Sequence, residues 1–286
     1  MKKLLALILL LPSLSFSAEI KLLTWNIFMI PKPINFSLQK TRSQEIAKQL
    51  AQTDYDVITL QEAFSPAARR RISKALALSH PYQIVLARDH FWRPANSGVI
   101  VFSKYPMEAL DNVYFKNCTK GDCFSSKGAL LVEITLPDGK KAQIASTHMQ
   151  AWEDEVGRGI RKKQLVQIKD MLDENHQEGV PQFLVGDLNI DALYGNAEEY
   201  HSSLEFLNMT SAPLSGEYEG SNGFKVECYK TPGGEHPVQW LDHVWLNPRN
   251  SETTVVDKRV RAFTGILKNK ECPLSDHNAV ETIISL

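Results

Sequence analysis

The chain has 286 residues, of which 43% are hydrophobic and 23% are charged, and its formal net charge is −1. This composition is that of an ordinary globular protein with enough apolar residues for a sizeable core, and one domain is the expected count. A nearly neutral chain lacks the global basic surface that attracts nucleic acids or anionic membranes. Two local basic runs, residues 69–71 and 158–163, are typical of solvated helix faces.

The first residues have the pattern of an export signal. Two lysines and an apolar stretch at 4–11 precede Ser15 and Ser17, which place small side chains at the −3 and −1 positions of a cleavage site. The stretch is too short to span a membrane, so we expect a signal peptide at 1–17, with cleavage one residue later as the alternative. No later stretch is apolar enough to cross a bilayer, and we expect residues 18–286 to be a secreted or periplasmic domain.

Four cysteines follow the signal, Cys118, Cys123, Cys228 and Cys272. An even number of cysteines in an exported protein favours disulfides. Three pairings are open, and we favour Cys118–Cys123 as a short loop closure with Cys228–Cys272 joining distant segments. A zinc site is the lesser alternative, because the sequence has no CxxC spacing.

The amino-terminal part alternates strands with helices. The predicted elements are, in order, a strand at 19–26, a helix at 37–51, a buried strand at 56–60 and a helix at 65–78. Ser37 is the expected N-cap of the first helix. Ser65 followed by Pro66 is a typical start for the second, because proline fits the first helical position.

The pattern then changes to neighbouring strands. These are predicted at 83–87, 98–102, 108–115, 129–136 and 142–147, with a turn at 137–140 between the last two. A long helix is predicted at 154–176, because Leu165, Ile168 and Leu172 recur at helical spacing.

A short apolar strand at 183–185 is the stretch around which the chain is organised. It is expected to end in a turn at Gly186 and to deliver Asp187 and Asn189, which point roughly the same way if strand geometry persists. A strand followed by a simple Asx turn is the alternative interpretation. Beyond it we predict a helix at 197–207, a long loop at 211–234, a strand at 238–246, an irregular stretch at 253–261 and a last strand at 278–284.

Polar side chains recur where the apolar strands end. They are Asn26, Glu62, His148, Asp187, Asn189, Asp242, Asp276 and His277. Any one of them is more typical of a turn than of a ligand, but strands packed in sheets can bring their ends to one rim. Clustered carboxylates there require a cation, and oxygen ligands suit a hard ion such as Mg²⁺.

The motifs at these ends resemble those of the endonuclease/exonuclease/phosphatase superfamily. In order they are Thr24-Trp25-Asn26, Leu60-Gln61-Glu62, the run at 97–106, Thr147-His148-Met149-Gln150, Gly186-Asp187-Leu188-Asn189, Leu241-Asp242-His243-Val244 and Ser275-Asp276-His277. Within the superfamily the chain is most similar to the secreted bacterial neutral sphingomyelinases. Ala151 after the histidine motif, and Lys127-Gly128 after the Cys118 to Cys123 loop, are the features that point to this branch.

The resemblance implies a fold and a metal site. The fold is an α/β four-layer α/β/β/α sandwich of the DNase I-like type, with the site at the rim of the two sheets. Glu62 would be the principal Mg²⁺ ligand, assisted by Asn26, and Asp276 would support the metal or water network. Mn²⁺ and Co²⁺ are the alternative ions.

The resemblance also implies roles for the other residues. His277 would be the general base, and Asp242 would fix its tautomer and stabilise the imidazolium that forms. Asp187 and Asn189 would hold the attacking water and a phosphoryl oxygen. His148 would bind the phosphate or help to protonate the leaving group.

The implied activity is Mg²⁺-dependent hydrolysis of sphingomyelin to ceramide and phosphocholine by in-line attack of water. The expected partner is membrane lipid at the interface, with no stable nucleic-acid partner, and the expected state is a monomer. The region 261–268 carries one aromatic and two aliphatic residues flanked by basic ones, which fits either a membrane-touching or an ordinary hairpin.

Three alternatives remain open from the sequence. The first is a DNase I-like metal-dependent nuclease, whose phosphate contacts could come from the basic runs at 69–71 and 158–163. The second is a phosphodiesterase or phosphatase that acts on another phospholipid or on a phosphoinositide. The third is a binding protein without catalysis on the same scaffold, although every catalytic position that can be matched is intact.

Overall fold

The computed structural model describes residues 18–30, 38–90, 93–193, 197–223, 226, 228–229 and 237–286. The predicted signal peptide and the predicted cap Ser37 lie outside the described residues. Within those ranges no helix combines the length and the apolar character that a membrane crossing requires.

The described elements alternate largely as predicted. The helices are α1 Gln39–Leu50, α2 Pro66–Leu76, α3 Glu155–Glu174 and α4 Ala197–Leu207, with a short 3-10 helix at Lys120–Phe124. The strands are β1 Glu19–Asn26, β2 Val57–Gln61, β3 Tyr82–Val85, β4 Ile100–Ser103, β5 Met107–Tyr114, β6 Gly128–Thr135, β7 Lys141–His148, β8 Gln182–Asp187, β9 Asp242–Asn247, β10 Thr254–Arg261, β11 Thr264–Leu267, β12 Lys270–Pro273 and β13 Ala279–Ser285.

Two large sheets carry the fold. One has the strand order β10-β13-β1-β2-β4-β3 and the other the order β5-β6-β7-β8-β9. The strands β1 and β2 run parallel in the first sheet, and β7 and β8 run parallel in the second. Their carboxyl ends therefore come to one edge of each sheet, which is where the sequence places its polar residues.

Three apolar clusters separate four layers. The first packs α1 and α2 on the outer face of the first sheet, through Ile46 and Ile72 against β1 and β2. The second lies between the sheets, where Val57 and Val101 face Phe183 and Val185. The third packs α3 and α4 on the outer face of the second sheet. This is the predicted α/β/β/α sandwich.

The structure corrects two predicted elements. The predicted strand at 238–246 begins only at Asp242, because the backbone before it pairs with loop segments: Gln239 bonds to Asn222, and the Trp240 carbonyl accepts from Ala192. The stretch 253–261, predicted as irregular, contains strand β10, an edge strand on β13. Its charged residues concealed the strand pattern, and charges on an edge discourage pairing with other chains.

Gly186 has a different role from the predicted turn. It lies inside β8 with φ of 138°, and a Cβ added there would come within 2.0 Å of the carbonyl oxygen of Thr147. Glycine is therefore required for the close approach of β7 and β8, just before Asp187.

The region 261–268 forms part of the β11–β12 hairpin. Phe263 is buried and stacks on Trp25 with ring centroids 4.6 Å apart, and Leu267 is also buried. Of the large apolar side chains of this region, Ile266 is the exposed one, at 67%. Of the two proposed forms, the ordinary hairpin fits the structure better.

Both favoured disulfides are present. Cys118 bonds to Cys123 around the 3-10 helix, and Cys228 bonds to Cys272 on β12. The predicted pairing is therefore confirmed.

Candidate active site

The predicted site residues lie together along one rim of the sandwich. Asn26, His148 and Asp187 are the last residues of β1, β7 and β8, and Asp242 is the first residue of the antiparallel β9, directly opposite Asp187. Glu62 follows β2, and Asp276 with His277 precedes β13. The strand ends of both sheets therefore lie together, as the sequence predicts.

His277 and Asp242 form a buried pair. The ring Nδ1 of His277 lies 2.7 Å from Oδ2 of Asp242. Burial alone would lower the pKa of His277, but the carboxylates of Asp242 and Asp187 raise it well above its usual value. The geometry is that of a histidine whose Nδ1 proton is held by a carboxylate while Nε2 faces the site.

Asp187 stands at the centre of the site. Its Oδ2 accepts a hydrogen bond of 2.9 Å from the Asn26 amide and lies 3.8 Å from Nε2 of His277. Burial and the Asp242 carboxylate raise the pKa of Asp187 to about 6, although the positive charge of His277 opposes the shift. Asp187 Oδ1 accepts from the backbone N–H of Asn189, so the Asx turn proposed as the alternative is present as well.

Glu62 brings a further carboxylate to the same space. It has a left-handed backbone with φ of 52°, and its Oε2 is buried without a hydrogen-bond partner among the described residues. Burial first, and then the Asp276 carboxylate, raise the pKa of Glu62 to about 8. Burial also raises the pKa of Asp276. Three carboxyl groups thus share one poorly solvated region.

His148 has a different neighbourhood. Its Nε2 lies 3.0 Å from Nζ of Lys127, 3.5 Å from Oδ2 of Asp187 and 4.0 Å from Oε1 of Glu62. Burial first, and then the positive charge of Lys127, lower the pKa of His148 well below its usual value. The ring is therefore held neutral and acts as a hydrogen-bonding group.

Lys127 is a site residue to which the sequence assigned no role. Its buried ammonium contacts Asp122 Oδ1 at 2.8 Å and the carbonyl oxygen of Met149 at 2.8 Å, besides His148. Asp122 lies in the disulfide-closed 3-10 helix, and it also accepts from the backbone N–H of Ala151. In the sequence, the Lys127-Gly128 dipeptide served only to indicate the family branch. Its position directly before β6 is the feature that could have indicated a site residue.

Ser221 and Asn222 are further site residues that sequence reasoning missed. Ser221 donates to Asp242 Oδ2 at 2.6 Å, and the Asn222 amide lies 3.2 Å from Nε2 of His277. Both belong to the stretch predicted only as a long loop. A Gly/Ser/Asn-rich loop gave no local signal that it would return to the strand ends.

The donor set fits a hard divalent cation. The unpartnered Glu62 oxygen and the raised carboxyl pKa values both indicate that negative charge here lacks compensation. Among the described residues, Asp187, Asp242 and His277 also place one ligand atom each within 4.8 Å of one another. Oxygen ligands of this kind are those that Mg²⁺ prefers. The expected ligand Asn26 lies beside Asp187, with its Oδ1 accepting from the backbone N–H of Phe28.

Comparison with solved structures supports the fold. A crystal structure of sphingomyelinase C from Streptomyces griseocarneus matches with a TM-score of 0.76 at 26% identity, over 94% of this chain and 99% of that one. A beta toxin variant from Staphylococcus aureus with bound magnesium ions matches with a TM-score of 0.74 at 20% identity, over 93% of this chain and 99% of that one. At the latter identity the likeness shows the fold alone.

Comparison with known sequences gives the family. A sphingomyelinase C from Leptospira interrogans is 30% identical over 218 residues, which are 69% of this chain and 38% of that protein. The chain spans 37% to 41% of the length of three such Leptospira relatives. The model of the endonuclease/exonuclease/phosphatase family matches residues 23–277. Together with the strand-end site, this match shows that the chain belongs to the endonuclease/exonuclease/phosphatase family.

Proposed function

We propose that this chain is a Mg²⁺-dependent phosphodiesterase that hydrolyses sphingomyelin to ceramide and phosphocholine. The observation that carries the proposal is the buried His277–Asp242 pair, which faces Asp187 beside Glu62 in one rim. A histidine fixed by a carboxylate is suited to general-base catalysis. Relatives named sphingomyelinase C, at 30% identity in sequence and 26% in a solved structure, support the choice of substrate.

In the proposed reaction, His277 removes a proton from the water that attacks phosphorus. With Nδ1 bonded to Asp242, the ring presents Nε2 as the proton acceptor, 3.8 Å from Asp187. Asp187 and Asn189 orient the water and a phosphoryl oxygen. As the water oxygen bonds to phosphorus, the bond between phosphorus and the ceramide oxygen breaks, and the ceramide oxygen takes a proton from solvent. The carboxylates of Asp242 and Asp187 stabilise the imidazolium that forms, which agrees with the raised pKa of His277.

The metal would be held by Glu62, with Asn26 and Asp276 nearby. When bound, the cation neutralises negative charge that develops on the non-bridging phosphoryl oxygens. The unpartnered Glu62 oxygen supports this assignment.

His148 is assigned to phosphate binding in preference to proton donation. Its lowered pKa makes an imidazolium unfavourable. The neutral ring accepts from the Lys127 ammonium at Nε2 and can donate one hydrogen bond from Nδ1, which has no partner among the described residues. Lys127, fixed by Asp122, contributes the positive charge on this side of the site.

We further propose that the protein acts outside the cytoplasm, as a monomer on membrane lipid. The export-signal pattern of the sequence and the two disulfides support an oxidising compartment. A nuclease remains the competing function, but the run at 158–163 does not form a continuous basic surface, because Arg161 is buried in an ion pair with Glu199.

The test is release of phosphocholine from sphingomyelin in mixed micelles, with Mg²⁺ or with EDTA. His277→Gln is compared with His80→Gln, since His80 is also buried but bonds to Tyr55 away from the rim. We expect Mg²⁺-dependent release that falls by ~10²- to 10⁴-fold in His277→Gln and is retained in His80→Gln. A parallel assay measures nicking of a plasmid. If no phosphocholine is released and the plasmid is nicked by the wild type but not by His277→Gln, the protein is a nuclease and the proposed function is wrong.

A further inference from the structure

Ser221 is tied to the catalytic pair by a chain of hydrogen bonds. Its hydroxyl donates to Oδ2 of Asp242 at 2.6 Å, the same oxygen that contacts Nδ1 of His277. The Ser221 oxygen in turn accepts from the backbone N–H groups of Leu241 and Asp242, at 3.2 and 3.1 Å. Because its acceptor positions face these two donors, the hydroxyl proton is directed to the carboxylate.

Asp242 depends on this contact for its orientation. Its other oxygen, Oδ1, is buried without a hydrogen-bond partner among the described residues. Oδ2 therefore carries both of the side-chain contacts described for this carboxylate, from Ser221 on one side and His277 on the other. Without the serine, the buried carboxylate could rotate to present either oxygen to the ring.

The neighbouring Asn222 contacts the opposite nitrogen of the ring. Its Oδ1 accepts from the backbone N–H of Gly223, which identifies the amide nitrogen as the group that lies 3.2 Å from Nε2 of His277. In the neutral form of the ring, an amide donor at Nε2 requires an unprotonated Nε2, and hence a proton on Nδ1. The attacking water must displace this amide contact before Nε2 can accept its proton. The backbone N–H of Asn278 also bonds to the Ser221 carbonyl, so this segment is fixed on both sides of the ring.

We propose that Ser221 is a positioning residue for His277, acting through Asp242. Its hydroxyl holds Asp242 in the orientation that keeps the proton on Nδ1 and leaves Nε2 as the base. Asn222 favours the same tautomer from the other nitrogen. The kinetic consequence rests on the proposed function, whereas the tautomer and the hydrogen bond do not.

The first measurement is the signal of the His277 Nδ1 proton in NMR spectra of protein with ¹⁵N-labelled histidine, in the absence of metal. The signal is assigned to His277 because it is absent from the spectrum of His277→Gln. We expect the signal to be lost or broadened in Ser221→Ala and kept in Ser221→Thr, which retains the hydroxyl. Ser103→Ala is the matched control, because Ser103 is buried and bonded to the backbone of Tyr105 at the far end of β4.

The second measurement is kcat and KM for phosphodiester hydrolysis by the same variants. We expect Ser221→Ala to lower kcat by ~10-fold, a part of the ~10²- to 10⁴-fold contribution of a general base, with KM changed by less than about twofold. Ser221→Thr is expected to restore kcat. If the added methyl group prevents folding of Ser221→Thr, the comparison of Ser221→Ala with Ser103→Ala tests the proposal.

Two results would overturn the proposal. One is an unchanged Nδ1 signal in Ser221→Ala together with unchanged kcat. The other is an equal loss of signal in Ser103→Ala, which would show a general loss of structure. If the wild type hydrolyses no sphingomyelin, the proposed function fails, but the NMR comparison still decides whether Ser221 positions His277.

Discussion

The two histidines of the rim occupy opposite electrostatic environments. His277 and His148 are 8% and 3% exposed, and both face Asp187. Yet the pKa of His277 is raised and that of His148 is lowered. His277 contacts Asp242 at 2.7 Å, whereas His148 contacts the ammonium of Lys127 at 3.0 Å.

The difference shows that burial alone does not decide the charge of a histidine in this site. Burial favours the neutral ring in both cases. At His277 the carboxylates of Asp242 and Asp187 outweigh it, whereas at His148 the ammonium of Lys127 adds to it. Two titratable groups whose environments push their pKa values apart are suited to different roles. Here one ring accepts and holds a proton, while the other remains a neutral partner.

The largest expected effect comes from Glu62, the proposed metal ligand, whose pKa is raised by burial and by the Asp276 carboxylate although Lys127 and His277 oppose the shift. Glu62→Gln keeps the shape of the side chain but removes its charge, and we expect Mg²⁺-dependent hydrolysis to fall by at least ~10²-fold. Isothermal titration with Mg²⁺ should show weakened binding in this variant. Glu133→Gln is the matched control, because Glu133 is buried on β6 and pairs with Lys141. Equal Mg²⁺ affinity in Glu62→Gln and wild type would contradict the ligand assignment.

The same carboxylates predict how stability depends on pH without metal. The pKa of Glu62 is raised to about 8 and that of Asp187 to about 6, so the folded protein keeps protons that the unfolded chain releases. Their contribution to stability is fully present below the ordinary carboxyl range near pH 4 and is lost as pH rises through about 6 and 8.

His148, His80 and His243, whose pKa values are lowered, act in the opposite direction below about pH 6.5. We therefore expect the Tm in EDTA to fall between about pH 6.5 and pH 8, and the gain in Tm from Mg²⁺ to be larger at pH 8. Thermal scans at several pH values measure both quantities. Glu62→Gln should flatten the slope and reduce the gain. A Tm in EDTA that rises over this range in the wild type, with no such change in the variant, would show that the buried carboxylates do not control stability.

Much of this site could be predicted, because its residues occupy the ends of strands with clear patterns. Asn26, His148 and Asp187 each end an apolar strand, and parallel pairing brings such ends together. The family motifs marked Asp242 and His277, although the predicted strand at 238–246 had Asp242 in its interior and the structure places it first in β9. The layered fold followed from the alternation of strands and helices in the same way.

The remaining site residues could not be predicted, because their contacts are tertiary. Ser221 reaches Asp242 across 21 positions through a loop with no strand or helix pattern among its described residues. The pairing of β6 with β7 brings Lys127 to His148, and Asp122 binds its buried ammonium. Neither contact can be read from the local sequence. The irregular start of β9 has the same origin, since Gln239 pairs with Asn222 instead of with a strand.

A smaller effect is expected from Lys127→Met, which removes the positive charge beside His148 and with it a charge that lowers the pKa values of Glu62 and Asp187. The pKa of His148 should rise toward its usual value, while the Nδ1 signal of His277 should persist. Histidine NMR over a range of pH in EDTA measures both, and we expect hydrolysis to fall by ~10-fold, near the lower end of effects for positioned groups. Lys104→Met, which breaks an ion pair with Asp56, serves as the control. An unchanged His148 pKa would remove Lys127 as the cause of the contrast.

The smallest expected effect comes from the disulfide that closes the Asp122 loop. Replacing Cys118 and Cys123 by serine frees a loop of sequence separation 5, for which chain entropy predicts a stability loss of ~2 kcal/mol, against ~4 kcal/mol for the Cys228–Cys272 bond with separation 44.

The looser loop should weaken the hold of Asp122 on Lys127 and so affect only the His148 side. We expect a broadened His148 signal, an unchanged Nδ1 signal for His277 and hydrolysis within about threefold of wild type, because the Met149 carbonyl still binds Lys127. Denaturant unfolding and the histidine spectra measure these changes. Equal changes in the signals of His148 and His277 would contradict this expectation. They would show that the loop affects the two histidine environments together.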